Sequence, residues 1–133
     1  MSKVNQYQQF VLSTTSSSSL DYSEMVQRIF EIETRMPVNV PLLMTASIGL
    51  SSETGEFSEV LKKVIFQGKE LTEDERYHMK RELGDIMWYL SNAASALGYT
   101  LEEIIDENVS KLEKRYPNGF EVSRSENRAT GDI

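Results

Sequence analysis

Two short segments of the sequence place pairs of carboxylates at helical spacing, "ETGE" at 53–56 and "ELGD" at 82–85. Each segment has two acids three residues apart, with a glycine immediately before the second acid. Side chains three residues apart lie on the same face of a helix. The surrounding runs, "IGLSSETGEFSEVLKKV" and "KRELGDIMWYLSNAASAL", are apolar and helical in pattern. The acids therefore border a hydrophobic stripe, where a charge is costly unless something pairs with it.

Acid pairs at this spacing carry little information by themselves. The chain has 21 acids in 133 residues, and other pairs occur, such as Asp21 with Glu24 and Glu103 with Asp106. Most such pairs are solvated helix faces. The glycines are more informative than the acid pairs, because a glycine inside a helix lowers helix stability by roughly 1 kcal/mol relative to alanine. Gly55 and Gly84 permit a neighbouring helix or a ligand to approach the backbone, and we expect close helix packing behind the acids.

Helical angles place these acids on a shared flank. At roughly 100° per residue, the second acid of each pair lies about 60° to the same side of the first, and the apolar stripe lies on the other side. Lys63 falls in the strip of Glu53. The last predicted helix repeats the arrangement with Asn108, Lys111 and Arg115. If the three helices pack around one core, the acids, the cations and the amide can converge.

A cluster made only of carboxylates suits hard cations such as Mg²⁺ and Mn²⁺, which share their coordination with substrate phosphates. Such a site supports phosphoryl or nucleotidyl transfer to water. Lys63, Lys111 and Arg115 could hold phosphate oxygens, although surface lysines usually only solubilise a helix. The amide of Asn108 could form hydrogen bonds with a hydroxyl group or a base of the ligand.

A di-iron carboxylate bundle is a competing interpretation. Those sites pair Glu-x-x-His from two helices with further glutamates. The single histidine, His78, lies in the charged run "EDERYHMKRE". The Glu75–His78 pair falls away from the stripe, so the di-iron site is disfavoured, and we assign His78 no role.

Composition indicates one soluble domain. Hydrophobic residues make up 39% of the chain and charged residues 26%, and no apolar run is long enough to span a membrane. There is no cysteine, and the net charge is −7. We therefore expect a cytoplasmic protein that binds neither a membrane nor a nucleic-acid polymer, which needs a basic face.

Capping signals predict an all-α fold with helices at about 5–13, 22–35, 41–66, 73–97 and 101–116. Pro41 suits a first helical turn, and Gly68 and Gly98 suit helix ends. Residues 13–20, "STTSSSSL", are expected to be a polar linker, and 121–133 a loosely ordered tail. Four capping boxes are predicted, at Asn5 with Gln8, Asp21 with Glu24, Thr72 with Glu75 and Thr100 with Glu103.

The acid segments, together with "NVSKLEKRYPNGF", resemble the Glu-x-x-Glu…Glu-x-x-Asp signature of MazG-like nucleoside triphosphate pyrophosphohydrolases, over roughly residues 46–120. The opening "NQYQQFVLST" resembles small, often phage-encoded members. The resemblance implies a four-helix-bundle-type all-α NTP pyrophosphatase fold with an extra N-terminal helix. It implies one domain over 1–120, with core motifs at 41–117, an insertion at 13–40 and the tail at 121–133.

The resemblance also implies an activity. Such enzymes use Mg²⁺, or here Mn²⁺ as an alternative, to cut a nucleoside triphosphate between the α and β phosphates. The metal ligands and catalytic residues would be Glu53, Glu56, Glu82 and Asp85. The substrate-binding residues would be Asn108, Lys111 and Arg115 at the sugar or phosphates and Tyr89 at the base. Lys63 is a further candidate substrate-binding residue, on account of its position on the acid-bearing helix.

Family members assemble as homodimers or homotetramers with sites between subunits, and a phage-encoded member would act in the host cytoplasm. Trp88 falls away from the core stripe, which favours an interface position. The insertion at 13–40 departs from the shorter connection of small members. Two alternatives stay open: a catalytically silent bundle that binds nucleotide or a protein partner, and a purely structural oligomer.

Overall fold

The structure is a computed structural model that describes residues 2–131. Within that range every regular element is an α-helix and no strand is formed, so the prediction of an all-α fold is confirmed. The elements in chain order are α1 (Lys3–Thr14), α2 (Ser17–Leu20), α3 (Tyr22–Arg35), α4 (Val40–Phe66), α5 (Glu73–Leu97), α6 (Leu101–Arg115) and α7 (Val122–Glu126). None of these helices is long and apolar enough to cross a membrane.

The C-terminal cap of α5 and the N-terminal cap of α6 follow the sequence pattern. Thr100 and Glu103 form a reciprocal capping box at the start of α6, in which the Glu103 amide donates to Thr100 Oγ1 at 3.1 Å and the Thr100 amide donates to Glu103 Oε2 at 2.7 Å. Gly98 ends α5 in the left-handed conformation, with φ of 79°. Such reciprocal bonds satisfy backbone groups that a helix end leaves unpaired.

Two predicted caps are wrong. Helix α1 begins at Lys3, and the side chain that caps it belongs to Ser2, which accepts from the Asn5 amide at 3.3 Å. Asn5 is therefore inside the helix. The Thr72 side chain makes no capping bond to α5. Its hydroxyl instead contacts Glu75, whose carboxylate also pairs with Lys69, and these contacts lower the pKa of Glu75 to about 2.

The short helices α2 and α7 correct the prediction that their segments are a linker and a loosely ordered tail. Both are polar and only one turn long, so neither has the apolar periodicity that sequence analysis depends on. Local side-chain bonds support them. Ser16 Oγ lies 2.9 Å from Ser19 Oγ beside α2, and at α7 Arg124 Nε donates to Glu121 Oε2 at 3.1 Å.

The chain divides into two compact units, Met1–Val40 and Pro41–Ile133. The first contains α1 to α3, and at its end the Val40 amide donates to Glu33 Oε1 at 2.8 Å. The second contains α5 to α7 and almost all of α4. The second unit begins at Pro41, which is also the first residue of the predicted core motifs at 41–117. That residues 1–120 form one domain stays a prediction.

The core of the second unit is thin. In the described part of the chain the buried apolar residues are all small or medium-sized, namely Ala46, Val60, Ala94 and Ala96, and no large side chain is fully buried. Members of the predicted stripes remain open to solvent, such as Leu61 at 44% and Ile105 at 58% exposure. The predicted stripes therefore do not fully bury one another within a single chain. The helices meet along a narrow seam of small residues, and the larger side chains lie beyond it.

The seam is closest at Gly49, where a methyl group would lie 2.2 Å from the ring of Tyr89 on α5. At Gly55 and Gly84 an added methyl group would meet nothing within 4 Å. The expectation of close helix packing behind the acids at Gly55 and Gly84 is therefore wrong for a single chain. Gly49, whose role the acid motifs did not reveal, is the glycine that allows α4 and α5 to approach each other at Tyr89.

Alanine substitutions at Gly49 and Gly84 should have opposite effects on the free energy of unfolding. We expect Gly49→Ala to destabilise the protein by about 1–3 kcal/mol, because the new methyl group overpacks against Tyr89. Gly84→Ala should instead stabilise it by up to about 1 kcal/mol, since it adds helix propensity in open space. Urea unfolding followed by circular dichroism measures both. Equal effects of the two substitutions would show that Gly49 is not a contact point.

Candidate metal centre

Helices α4 and α5 bring three of the four predicted ligands together. Carboxylate oxygens of Glu53, Glu82 and Asp85 all lie within 4.8 Å of one another. Glu53 comes from α4, and the other two come from α5 at i, i+3 spacing. One acid of the first pair therefore lies close to both acids of the second.

Glu82 is the innermost member of this group. It is 6% exposed and is the buried charged residue of the described chain. A buried carboxylate needs compensation from a partner. One oxygen, Oε1, lies 2.7 Å from Nε2 of His78, one helical turn earlier on α5. Glu53 makes a side-chain hydrogen bond with Glu82 as well, so Glu82 has a partner on each helix.

The pKa of Glu53 is raised by its burial and by the acids around it. Loss of solvation raises the pKa of Glu53, the hydrogen bond with Glu82 raises it further, and the charges of Glu56 and Asp85 act in the same direction. Like charges at close range disfavour the ionised form. The cluster therefore favours a bound positive charge, which could be a proton or a cation.

A second group shares Glu82 with the first. Ligand atoms of Glu56, His78 and Glu82 also lie within 4.8 Å of one another. All four predicted carboxylates therefore belong to one of two triads, and the donor set of mainly hard oxygens fits a divalent cation such as Mg²⁺ or Mn²⁺.

His78 is the residue that sequence reasoning missed. It was assigned no role because it lies in a charged run, yet its ring reaches Glu82 while remaining 54% exposed. The spacing of four residues to Glu82 was the available signal, since residues at i and i+4 are neighbours on a helix. The charged residues around His78 concealed that relation.

The predicted substrate residues on α4 and α5 make contacts within the chain. Lys63 Nζ lies 3.1 Å from Glu59 Oε1 in an exposed pair. The ring of Tyr89 lies over Gly49 and meets the exposed ring of Trp88 edge-on, with the ring centroids 4.9 Å apart. Substrate contact by Lys63 and Tyr89 stays a prediction.

Helix α6 places its predicted residues beside two cavities. Asn108 and Lys111 line one of about 690 Å³, together with Tyr99. Lys111 and Arg115 line the other, of about 570 Å³, which includes Lys114 and residues of the C-terminal segment. Among the described residues that line these cavities, none is one of the four acids. Convergence of the acids with the α6 strip stays a prediction.

These features define a class: an all-helical protein with a carboxylate cluster suited to divalent cations. Residues 44–120, more than half of the chain, match the family described as the MazG nucleotide pyrophosphohydrolase domain. The chain belongs to this family, which confirms the resemblance. Both acid pairs and the α6 strip lie within the matched residues.

A relative supports the family assignment. The chain is 32% identical over 88 residues to the Gene 37 protein of Mycobacterium phage L5, an alignment that covers 65% of this chain and 76% of the phage protein. That name states no activity. No solved structure matches the chain.

Neutralising Glu53 should stabilise the metal-free protein. Because its pKa is raised in the folded state, this group favours folding below that pKa, and the contribution is lost as the pH rises above it. We expect Glu53→Gln to raise the melting temperature in chelator at pH 7, and to raise it less as the pH approaches 5. Differential scanning calorimetry across that range measures the difference.

Glu59→Gln is the matched control on α4. The hydrogen bond from Lys63 lowers the pKa of Glu59, so its charge favours folding at neutral pH. The control should leave the melting temperature at pH 7 unchanged or slightly lower. A fall in melting temperature for Glu53→Gln would contradict the account of charge crowding.

Proposed function

We propose that the protein hydrolyses nucleoside triphosphates, with ribose or deoxyribose, at the bond between the α and β phosphates. The products are a nucleoside monophosphate and pyrophosphate, and the cofactor is Mg²⁺, with Mn²⁺ as an alternative. The observation that carries this proposal is the carboxylate cluster of α4 and α5, which lies inside the residues that match a nucleotide pyrophosphohydrolase family.

The four acids would hold the cation and serve the attacking water. Glu53, Glu82 and Asp85 form one group of donors, and Glu56 joins the other. A bound divalent cation screens phosphate charge and lowers the pKa of water. The carboxylates would orient that water and accept its proton, while the crowded negative charge secures binding of the cation.

The cavity at the end of α6 suits the phosphate chain. Lys111, Lys114, Arg115 and Arg124 line it, and Glu107 is the acid among its described lining residues, in a protein of net charge −7. Within residues 2–131, Lys111 and Lys114 form no ion pair with a carboxylate. The adjoining cavity offers the amide of Asn108 to a sugar or base.

We also propose that the active form is a homodimer or homotetramer. Large apolar side chains on the site-bearing helices are exposed, including Met87 at 63%, Trp88 at 59% and Ile105 at 58%. A surface of this kind marks an interaction site. A second copy could cover these side chains and set the basic cavity of one chain against the acid cluster of the other.

The proposal includes where the enzyme acts and on which form of nucleotide. The enzyme would act on free nucleotides in the cytoplasm, and in the host cytoplasm if the chain, like its relative, is encoded by a phage. A membrane or a nucleic-acid polymer has no part in this proposal.

A nucleotide panel tests the reaction. Purified protein with Mg²⁺ and each of the eight common ribo- and deoxyribonucleoside triphosphates should release monophosphate and pyrophosphate, measured by ion-exchange chromatography. Glu56→Gln and Asp85→Asn should each lower kcat by at least about a hundredfold, because they remove cation ligands. Glu113→Gln, on the exposed surface of α6, is the control and should retain activity.

Several results would count against the proposal. Orthophosphate as the sole product would exclude cleavage between the α and β phosphates. Nucleotide binding without turnover would favour the catalytically silent bundle. A near-normal rate for Asp85→Asn would remove that residue from the ligands.

Mixing two inactive variants tests whether the site is shared between copies. Asp85→Asn damages the acid cluster, and Lys111→Ala damages the basic cavity. If one site takes its acids and its cations from different chains, co-refolding the two variants should restore about a quarter to a half of the activity, because some hybrid sites are intact. Activity that stays at the level of the separate variants, in a mixture shown to form hybrids by native mass spectrometry, would place each site within one chain.

A further inference from the structure

The group formed by Glu56, His78 and Glu82 differs from a carboxylate-only site, because it contains an imidazole. His78 Nε2 lies 2.7 Å from Glu82 Oε1, and the ligand atoms of the group lie within 4.8 Å of one another. Donors at about 2.1 Å around an octahedral ion are roughly 3 Å apart when adjacent and about 4.2 Å apart when opposite. The three side chains therefore need only small movements to share one ion.

Glu82 belongs to both groups of donors. Glu53 and Asp85 lie with it in one, and Glu56 and His78 lie with it in the other. A carboxylate has two oxygens, and one of those of Glu82 is the oxygen that faces His78. If each group held a cation, Glu82 would be a ligand of both, and a pair of cations can stabilise both the attacking and the leaving oxygen in phosphoryl transfer.

We infer that His78 is a metal ligand, which supplies the nitrogen donor of a second cation position formed with Glu56 and Glu82. This inference rests on the proposed function for the presence of a divalent cation. It goes beyond the four carboxylates, because it adds a residue and a chemical preference to the site. Nε2 would bind the ion through its lone pair, with the ring hydrogen on Nδ1.

The nitrogen donor determines which ion this position prefers. Mg²⁺ favours oxygen ligands and keeps several waters, whereas imidazole is a ligand of transition metals. The position with His78 should therefore bind Mn²⁺ more tightly than Mg²⁺. The position with Glu53 and Asp85 has oxygen donors only and should distinguish the two ions less.

The exposure of His78 agrees with this role. The side chain is 54% exposed, whereas that of Glu82 is 8% exposed. Here the ring lies at the rim, where an ion can enter from solvent and keep waters or phosphate oxygens as its other ligands.

The chain has one histidine, so a spectroscopic signal from imidazole nitrogen has one source. Protein freed of any polyhistidine tag is loaded with Mn²⁺ in the absence of nucleotide, and electron spin echo modulation detects nitrogen bound to the ion. We expect a ¹⁴N coupling that changes to a ¹⁵N coupling when histidine is isotopically labelled. His78→Gln should abolish the coupling while the helical circular dichroism is unchanged.

Calorimetry supplies a second measurement. His78→Gln should weaken the tighter Mn²⁺ binding step by about tenfold or more and change Mg²⁺ binding by less than about threefold. Arg76→Gln is the matched control, because Arg76 lies two residues earlier on α5 and pairs with the exposed Glu73. The control should leave both affinities as they are in the unaltered protein.

The outcomes separate this inference from the proposed function. Mn²⁺ bound without a histidine coupling, and lost in Asp85→Asn, would overturn the role of His78 and leave the carboxylate site intact. Equal weakening of Mg²⁺ and Mn²⁺ by His78→Gln would also overturn it. If Mn²⁺ coordinates His78 but no nucleotide is hydrolysed, the reaction is refuted while the ligand assignment stands. No binding of either ion would refute both.

Discussion

The structure of the second unit depends on the negative charge of Glu82. This carboxylate is buried between two helices that bring further acids to it, and loss of solvation together with the neighbouring acids raises the pKa of Glu53. The chain compensates with one histidine and a hydrogen bond from Glu53. A fold selected for stability alone gains more from apolar residues at such a position. The buried charge and the acids around it are compatible with a site that binds a cation.

Small residues determine how closely the two acid-bearing helices approach. Gly49 accepts the ring of Tyr89, and Ala46 and Ala94 are buried in the same narrow core. The glycines inside the acid motifs serve a different purpose, because space beside them is open within one chain. Sequence analysis allowed either a helix or a ligand at Gly55 and Gly84. The open space removes the first possibility within the chain and is compatible with the second.

The sequence predicts what depends on local pattern. Caps and apolar periodicity predict the helix bounds closely. Helical angles place Glu53, Glu82 and Asp85 on flanks that can converge if the helices pack together. Features that depend on contacts between distant residues were missed. The contact of His78 with Glu82 is local, at a spacing of four residues, but the charged residues around His78 concealed it. That Tyr89 needs a glycine opposite it was missed because this contact joins two helices. The thin core was missed for the same reason, since periodicity shows which face is apolar and not what covers it.

The separation of charges has a consequence for the order of binding. The whole chain carries a net charge of −7, and the acid cluster adds to local repulsion of a polyphosphate, while the basic residues collect at the end of α6. A free triphosphate is therefore attracted to one part of the surface and repelled by the other. Divalent cations on the carboxylates would neutralise most or all of that negative charge. Under the proposed function, nucleotide affinity should depend on the cation even before any bond is broken. The bound ion removes the repulsion between the acid cluster and the triphosphate, so that the cluster can contribute to binding.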